Sequence, residues 1–294
     1  MKPQARPRRS AMYVPAINAR AIEKSRTLDV DCVICDLEDA VAPEMKGAAR
    51  TQLVAAFAAG GFGHRETVVR VNAIDSADFA PDLDAAARCR PDAVLLPKVS
   101  SVADLEAFAA AAARAGLPDG TALWAMVETT AALLDLDAIV AAGQALLPGL
   151  ACLVVGTNDI AKETGVDPGE ERRYLLPWLM HVVLVAKRRG VCVLDGVWND
   201  FGDTAGFDAQ ARQSVKMAFD GKTLIHPSQV APANRIFSPA PEAVDAARRI
   251  VAAFEQPENA GKGVINLAGK MVERLHRDQA ARLLAVHASI AARG

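Results

Sequence analysis

A (β/α)8 TIM barrel with a C-terminal helical extension is the fold this sequence predicts, on three observations. Short β-branched apolar runs alternate with alanine-rich stretches of helical periodicity, and eight such runs can be counted. The first of them is followed by Pro15-Ala16-Ile17-Asn18 and not by a Gly-rich phosphate turn, which argues against an open dinucleotide-binding sheet. Continuous apolar runs suit strands buried on both faces, and helical connections make neighbouring strands parallel. Eight in that rhythm favour closure into a barrel.

In chain order the expected strands are Ser10–Ala16, Cys32–Glu38, Thr67–Ala73, Ala93–Val99, Ala122–Glu128, Cys152–Asp159, Val191–Val197 and Lys222–Pro227. Helical periodicity runs through Val102–Ala115, Thr129–Ala142, Glu171–Arg188 and Gln210–Phe219. Beyond the eighth strand, Ser238-Pro239-Ala240-Pro241-Glu242 reads as a cap before a helix reaching about Phe254, which Pro257 stops. Gly261, Gly263 and Gly269 punctuate an irregular or hairpin segment, and Met271–Ala292 reads as helix. The barrel is therefore assigned to residues 1–238 and a lid-like extension to 239–294. That extension is too small to hold its own core and is expected to pack on its own barrel or on a neighbour's.

Composition narrows the function. With 294 residues, 51% hydrophobic and 23% charged, the chain is neither disordered nor fibrous. Lys and Arg number 33 against 35 Asp and Glu, a net charge of −2, which lacks the basic surplus of a nucleic-acid binder. Aromatics are 5%, too few for stacking platforms on single strands. No uncharged apolar run reaches the roughly 18 residues that a membrane span needs. The basic start, MKPQARPRRS, precedes a segment too short for a signal-peptide core, and five irregularly spaced cysteines make no disulfide framework. A cytoplasmic protein is expected.

Chemistry in such a barrel sits at the C-terminal ends of the strands. Those ends carry Asp36, Glu38 and Asp39; Arg70 and Asn72; Lys98; Glu128; Asp159; Asp195; and His226. Any one could be a cap or an ion-pair partner, but polar groups at nearly every strand end point to an active site. Carboxylates at 36–39, 128 and 159 form an all-oxygen set suited to Mg²⁺, while no His/Cys cluster has zinc spacing. Arg70 is a fork for an oxyanion or carboxylate. Cys32-Val33-Ile34-Cys35 is read as strand cysteines on opposite faces rather than a redox pair. Lys98 fits a salt-bridged lysine better than a Schiff base. His226 could be an acid or base, or a hydrogen-bonded rim residue, and His181 reads as helix packing.

Five segments then carry a resemblance: Asp36-Leu37-Glu38-Asp39-Ala40-Val41-Ala42-Pro43, Val69-Arg70-Val71-Asn72, Leu96-Pro97-Lys98-Val99, Val127-Glu128-Thr129 and Gly221-Lys222-Thr223-Leu224-Ile225-His226-Pro227-Ser228-Gln229. They resemble the citrate lyase β-subunit-like (HpcH/HpaI aldolase) superfamily, over about Arg9 to Leu284. The resemblance implies a (β/α)8 barrel assembled as homotrimers or homohexamers, with Mg²⁺ (Mn²⁺ as a possible substitute) and CoA as part of the substrate. It makes Glu128 and Asp159 the metal ligands and Arg70 the grip on the thioester oxygen. Asp36, Glu38 and Asp39 would order metal waters and the rim. Backbone around Thr157 and Asn158 would receive a 2-oxo acid carboxylate, and Lys24 would contact CoA phosphates.

Two features narrow this further. Gly261-Lys262-Gly263 and Gly269-Lys270-Met271-Val272-Glu273 resemble the C-terminal lid of malyl-CoA and citramalyl-CoA lyases, with Glu273 where the lid carries an acid/base Asp. Gly156-Thr157-Asn158-Asp159, Trp124-Ala125-Met126 and Asp195-Gly196-Val197 resemble the branch that contains (3S)-malyl-CoA thioesterase. The expectation is a Mg²⁺-dependent carbon–carbon lyase on a small β-hydroxyacyl-CoA, with Glu273 handling the proton. Hydrolysis of the same thioester is the close rival. An aldolase on free 2-oxo acids and a non-catalytic subunit of a lyase complex are the more distant readings.

Overall fold

The computed structural model describes residues 6–147 and 149–293; the first five residues of the basic N-terminus lie outside them. The chain divides into two units, one spanning Arg8–Arg235 and one that includes the segment from Ile236 onward.

The larger unit is a closed barrel of eight parallel strands in sequence order. They are β1 (Ser10–Pro15), β2 (Cys32–Asp36), β3 (Glu66–Arg70), β4 (Ala93–Leu96), β5 (Ala122–Val127), β6 (Leu150–Val155), β7 (Cys192–Asp195) and β8 (Gly221–Leu224). Strand β1 pairs with both β2 and β8, which closes the ring. Strand side chains alternate in direction, and one set forms a continuous interior cluster that includes Ile34, Val68, Leu95, Trp124, Met126, Val154 and Leu194. At the N-terminal end Arg8 forks onto Glu66 at 2.7 and 2.8 Å and stacks over Trp124. Cys32 belongs to the interior cluster and Cys35 does not, as strand alternation requires. Both thiols are free and buried, and burial raises Cys35 to about 12.

The helices follow local signals where these are strong. Ser101 and Asp104 form a capping box on Val102–Ala115, and Gly116 ends it in the left-handed conformation. Elsewhere the boundaries move. The expected helix over 129–142 is two, Thr130–Leu134 and Leu136–Ala145, separated by Asp135. The segment from Glu171 begins as a 3₁₀ turn with Glu171 and Arg172 at positive φ, and the regular helix is Leu176–Arg189. The helix expected at Gln210–Phe219 is Thr204–Lys216, started by an Asp203 cap. On the Leu176–Arg189 helix His181 is exposed, not packed in the core.

The C-terminal unit holds the helix Pro241–Glu255, with proline at its first turn. An antiparallel hairpin of β9 (Val264–Leu267) and β10 (Lys270–Glu273) follows, then the helix Arg274–Ala291. Met271 to Glu273 are thus strand and not helix, because Ala268 and Gly269 turn the chain at positive φ. Within this unit Val244, Ala247, Ile265, Val272 and Ala280 are buried. Among the described residues no helix is long and apolar enough to cross a membrane.

Candidate active site

The period of two along β2, β3 and β5 gives Asp36, Arg70 and Glu128 the same inward direction as Ile34, Val68 and Met126. They form the next layer, at the C-terminal mouth. Asp36 and Arg70 are also direct register partners across β2 and β3. That alignment lets the guanidinium fork onto the carboxylate, Nε to Oδ1 at 2.7 Å and Nη2 to Oδ2 at 2.6 Å. The remaining nitrogen, Nη1, stands 3.0 Å from Glu38 Oε2 and 3.7 Å from Asp39 Oδ2. Beneath it the Tyr13 ring lies 4.8 Å from the guanidinium carbon. Burial opposes the charge on Arg70, but Asp36, with Tyr13 and Glu38 adding to it, holds the guanidinium above its ordinary value.

Glu38 is shared between two cations, Arg70 and Lys98, whose Nζ is 2.6 Å from Oε1. Burial nonetheless raises its carboxyl, against the pull of Arg70 and Lys98 and with help from the charge on Asp39. Asp39 is the open member of the group, its side chain 62% exposed. Lys98 is therefore the ion-paired lysine expected, and its backbone N–H also donates to Glu128 Oε1 at 2.8 Å.

Glu128 is 1% exposed and has no salt bridge among those of the described residues. Burial pushes its carboxyl up to about 7; the Lys98 N–H works against this, and the charges of Glu38 and Asp159 add to it. Asp159 is the third residue of the helix Thr157–Thr164, so the strand expected to reach it stops at Val155 and Gly156 begins the helix. Glycine is required there. A Cβ on Gly156 would stand 2.4 Å from Glu128 Oε2. Thr157 and Asn158 form the helix N-terminus, whose N–H groups favour an anion. The Asn158 amide exchanges two hydrogen bonds, 3.2 and 3.0 Å, with that of Asn199 from the loop after β7.

Not every strand-end residue belongs to this layer. Asp195 follows the inward Leu194 and so points into the helix layer, where it is fully buried among Arg172 (2.6 Å), Ser214 (2.6 Å) and Lys222 (3.0 Å). Burial alone would raise its carboxyl, but Lys222 and Arg172 bring it down to about 2. Asn72 braces the β2 loop, accepting from Lys46 Nζ at 2.6 Å and donating to the Leu37 carbonyl at 3.0 Å. His226 caps a short turn through Ser228 (2.7 Å) and stacks on Phe201, a hydrogen-bonded rim residue. Lys24 is exposed in the last turn of the helix Ala19–Ser25, about 10 Å of helix from the loop leaving β1. Glu273 belongs to the C-terminal unit, where its N–H donates to His276 Nδ1 at 3.0 Å at the start of the last helix.

Sequence reasoning did not foresee the burial of Lys46, Arg172 and Lys222 around the strand ends, or the cradle at Gly156. The glycine had a signal, standing at the end of an apolar run beside a carboxylate-bearing strand.

Among the described residues no three His, Cys, Asp or Glu side chains form a metal cage. Glu128 and Asp159 are nonetheless a fitting pair for a hard cation that keeps several waters. Their donors are all oxygen, and the poorly compensated Glu128 is the group a cation would relieve.

Fold and mouth together define a (β/α)8 barrel whose C-terminal rim is rich in carboxylates around one arginine. A family model for HpcH/HpaI aldolase/citrate lyase matches residues 9–227, and the chain belongs to that family. It is 44% identical over 292 residues to a (3S)-malyl-CoA thioesterase of Cereibacter sphaeroides (strain KD131 / KCTC 12085), covering 99% of each chain. It is 32% identical over 294 residues to the mitochondrial citramalyl-CoA lyase of Homo sapiens, covering 97% of this chain and 86% of that one. A solved structure of protein CitE from Mycobacterium tuberculosis, in complex with magnesium, acetoacetate and coenzyme A, superposes with a TM-score of 0.75. It is 28% identical, with 97% of this chain and 98% of that chain covered.

Proposed function

We propose that this protein is a Mg²⁺-dependent enzyme acting on small β-hydroxyacyl-CoA thioesters of the malyl type. The observation that carries the reading is the inward layer Asp36–Arg70–Glu128 with Glu38 and Lys98 beside it, in a chain so similar to enzymes named for such thioesters. Glu128 and Asp159 would hold the metal ion, which when bound supplies a Lewis acid for a carbonyl oxygen and offsets the mutual repulsion of the carboxylates.

The chain's own residues do the rest. Asp36 fixes the plane of Arg70, leaving Nη1 as the edge that meets a thioester or enolate oxygen as it gains charge. Glu38 keeps Nη1 and Lys98 in register, and Asp39 is the exposed carboxylate able to order water at the rim. The N–H groups at Thr157 and Asn158 receive the substrate's free carboxylate. We further propose that the extension works as a lid over the barrel of a neighbouring copy in a homotrimer or homohexamer. There Glu273 would handle a proton. Lys24 would meet a CoA phosphate at a distance from the mouth, in the last turn of the helix Ala19–Ser25.

Two net reactions use such a site. In hydrolysis, water adds to the thioester carbon, the CoA thiolate leaves and takes a proton, and malate is released. In cleavage, the hydroxyl proton and the C–C bond electrons move so that glyoxylate and acetyl-CoA form, with Arg70 facing the enolate oxygen. The 44% identity to a thioesterase favours hydrolysis, against 32% for a lyase. The 32% identity to a citramalyl-CoA lyase, with Arg70 as the cation that would meet an enolate oxygen, supports cleavage as the second reading. Incubation with malyl-CoA separates them: malate with free CoA is the hydrolytic outcome, glyoxylate with acetyl-CoA the lytic one. Undiminished turnover in excess chelator would overturn the metal-dependent reading of both.

A further inference from the structure

Lys98 holds a backbone conformation that a lysine has no intrinsic reason to adopt. Its φ is +52°, in the left-handed region that costs an L residue with a Cβ about 1–2 kcal/mol. Such outliers persist only where surrounding contacts over-determine them. Here two contacts do so from opposite ends of the residue. The backbone N–H donates to Glu128 Oε1 at 2.8 Å, and the ammonium meets Glu38 Oε1 at 2.6 Å. Strand β4 ends at Leu96, so an extended continuation through Pro97 and Lys98 would keep the chain rising along the strand direction. With that N–H held by Glu128, the left-handed φ is the rotation by which the rest of the residue and the chain beyond it leave the bonded peptide.

We propose that Lys98 is a positioning residue for Glu128, acting through its strained backbone. The N–H binds one carboxylate oxygen and thereby assigns the other, Oε2, to the cation. Gly156 guards the far side of that oxygen, since any Cβ there would occupy the space beside it. Glu128 is thus held between a donated hydrogen on one oxygen and a deliberately empty volume at the other. The inference rests on the metal-site reading above and adds a residue to it.

The test uses Mn²⁺ as the probe, followed by electron paramagnetic resonance on the full-length protein, with thermal unfolding as the control. Lys98→Gly and Lys98→Asn discard the ammonium but tolerate the left-handed backbone. Lys98→Val and the milder Lys98→Ala discard the ammonium and resist that backbone. The expected result is that the Gly and Asn variants bind Mn²⁺ within about threefold of each other, while Val and Ala bind at least about fivefold more weakly. Four equal affinities would overturn the proposal. So would Gly and Asn falling as far as Val, which would assign the effect to the ammonium. Should Val not fold, Ala carries the same comparison. Wild-type protein that binds no Mn²⁺ would overturn the metal-site reading and this inference with it. Binding lost in Glu128→Gln but insensitive to all four Lys98 variants would overturn the inference alone.

Discussion

Replacing Glu128 by glutamine should stabilise the metal-free protein above neutral pH. The side chain is buried, and its carboxyl rises from the usual 4.5 to about 7, first through burial and then through Glu38 and Asp159. A carboxyl raised in the folded state binds its proton more tightly there than in the unfolded chain. Its contribution is therefore complete below about 4.5 and is lost as pH climbs through about 7. At roughly 1.36 kcal/mol for each tenfold change in proton affinity, the loss comes to about 3 kcal/mol by pH 8. Glutamine keeps the acceptor for the Lys98 N–H and removes the charge. The variant should come within about 1 kcal/mol of wild type near pH 5 and exceed it by about 3 kcal/mol at pH 8, roughly 6 °C in Tm. Thermal unfolding in EDTA from pH 5 to 8 reads the difference directly, since groups common to both proteins cancel. Added Mg²⁺ should then recover wild type at pH 8 and leave the variant unmoved. Parallel curves for the two proteins across this range would refute the account of Glu128 as a poorly compensated buried charge.

Three further outcomes can be checked. Gly156→Ala puts a methyl 2.4 Å from Glu128 Oε2, so kcat/KM on malyl-CoA should drop about a hundredfold while circular dichroism stays native. Arg70→Lys cannot reproduce the two-point grip on Asp36, and steady-state kinetics should show a loss of similar size carried in kcat rather than KM. Lys222→Met strips a buried partner from Asp195 while Arg172 remains, and urea unfolding should report a loss of about 3 kcal/mol.

The barrel was legible because its strands are apolar on both faces, a pattern that survives without any tertiary information. The same periodicity is why Asp36, Arg70 and Glu128 could be named together: each stands two residues beyond an inward apolar side chain. It also explains the misreading of Asp195. One residue of register separates it from Leu194, and that single step turns the carboxylate from the mouth to the helix layer. Asp159 stands on a different element from the one expected, since Gly156 stops the strand and the helix carries the carboxylate near Glu128. Lys46 and Lys222 were invisible for a general reason. A lysine in sequence reads as solvent-exposed, and only the fold shows three acceptors converging on each ammonium. The left-handed turn at Lys98 has no local signal either, because its cause is a carboxylate thirty residues away.

On the proposed reading, the charge pattern at the mouth gives a cation a part in the reaction beyond simple occupancy. Among the described residues, Asp36, Glu38 and Asp39 form their ion pairs with Arg70 and Lys98, while Glu128 and Asp159 form none. The surplus of negative charge falls on the Glu128 side, where neither ammonium nor guanidinium pairs with the carboxylate. A substrate bringing its own carboxylate to the helix N-terminus at Thr157 would add to that surplus. With a divalent ion on Glu128 and Asp159, the same arrival becomes favourable, and the ordered sequence of cation first and thioester second follows from Coulomb repulsion in a poorly hydrated mouth. Product inhibition patterns and initial-rate kinetics with varied Mg²⁺ should therefore show compulsory order. Equal binding of malyl-CoA with and without the ion, measured by calorimetry on the slow Arg70→Lys variant, would break this chain of reasoning at the charge count.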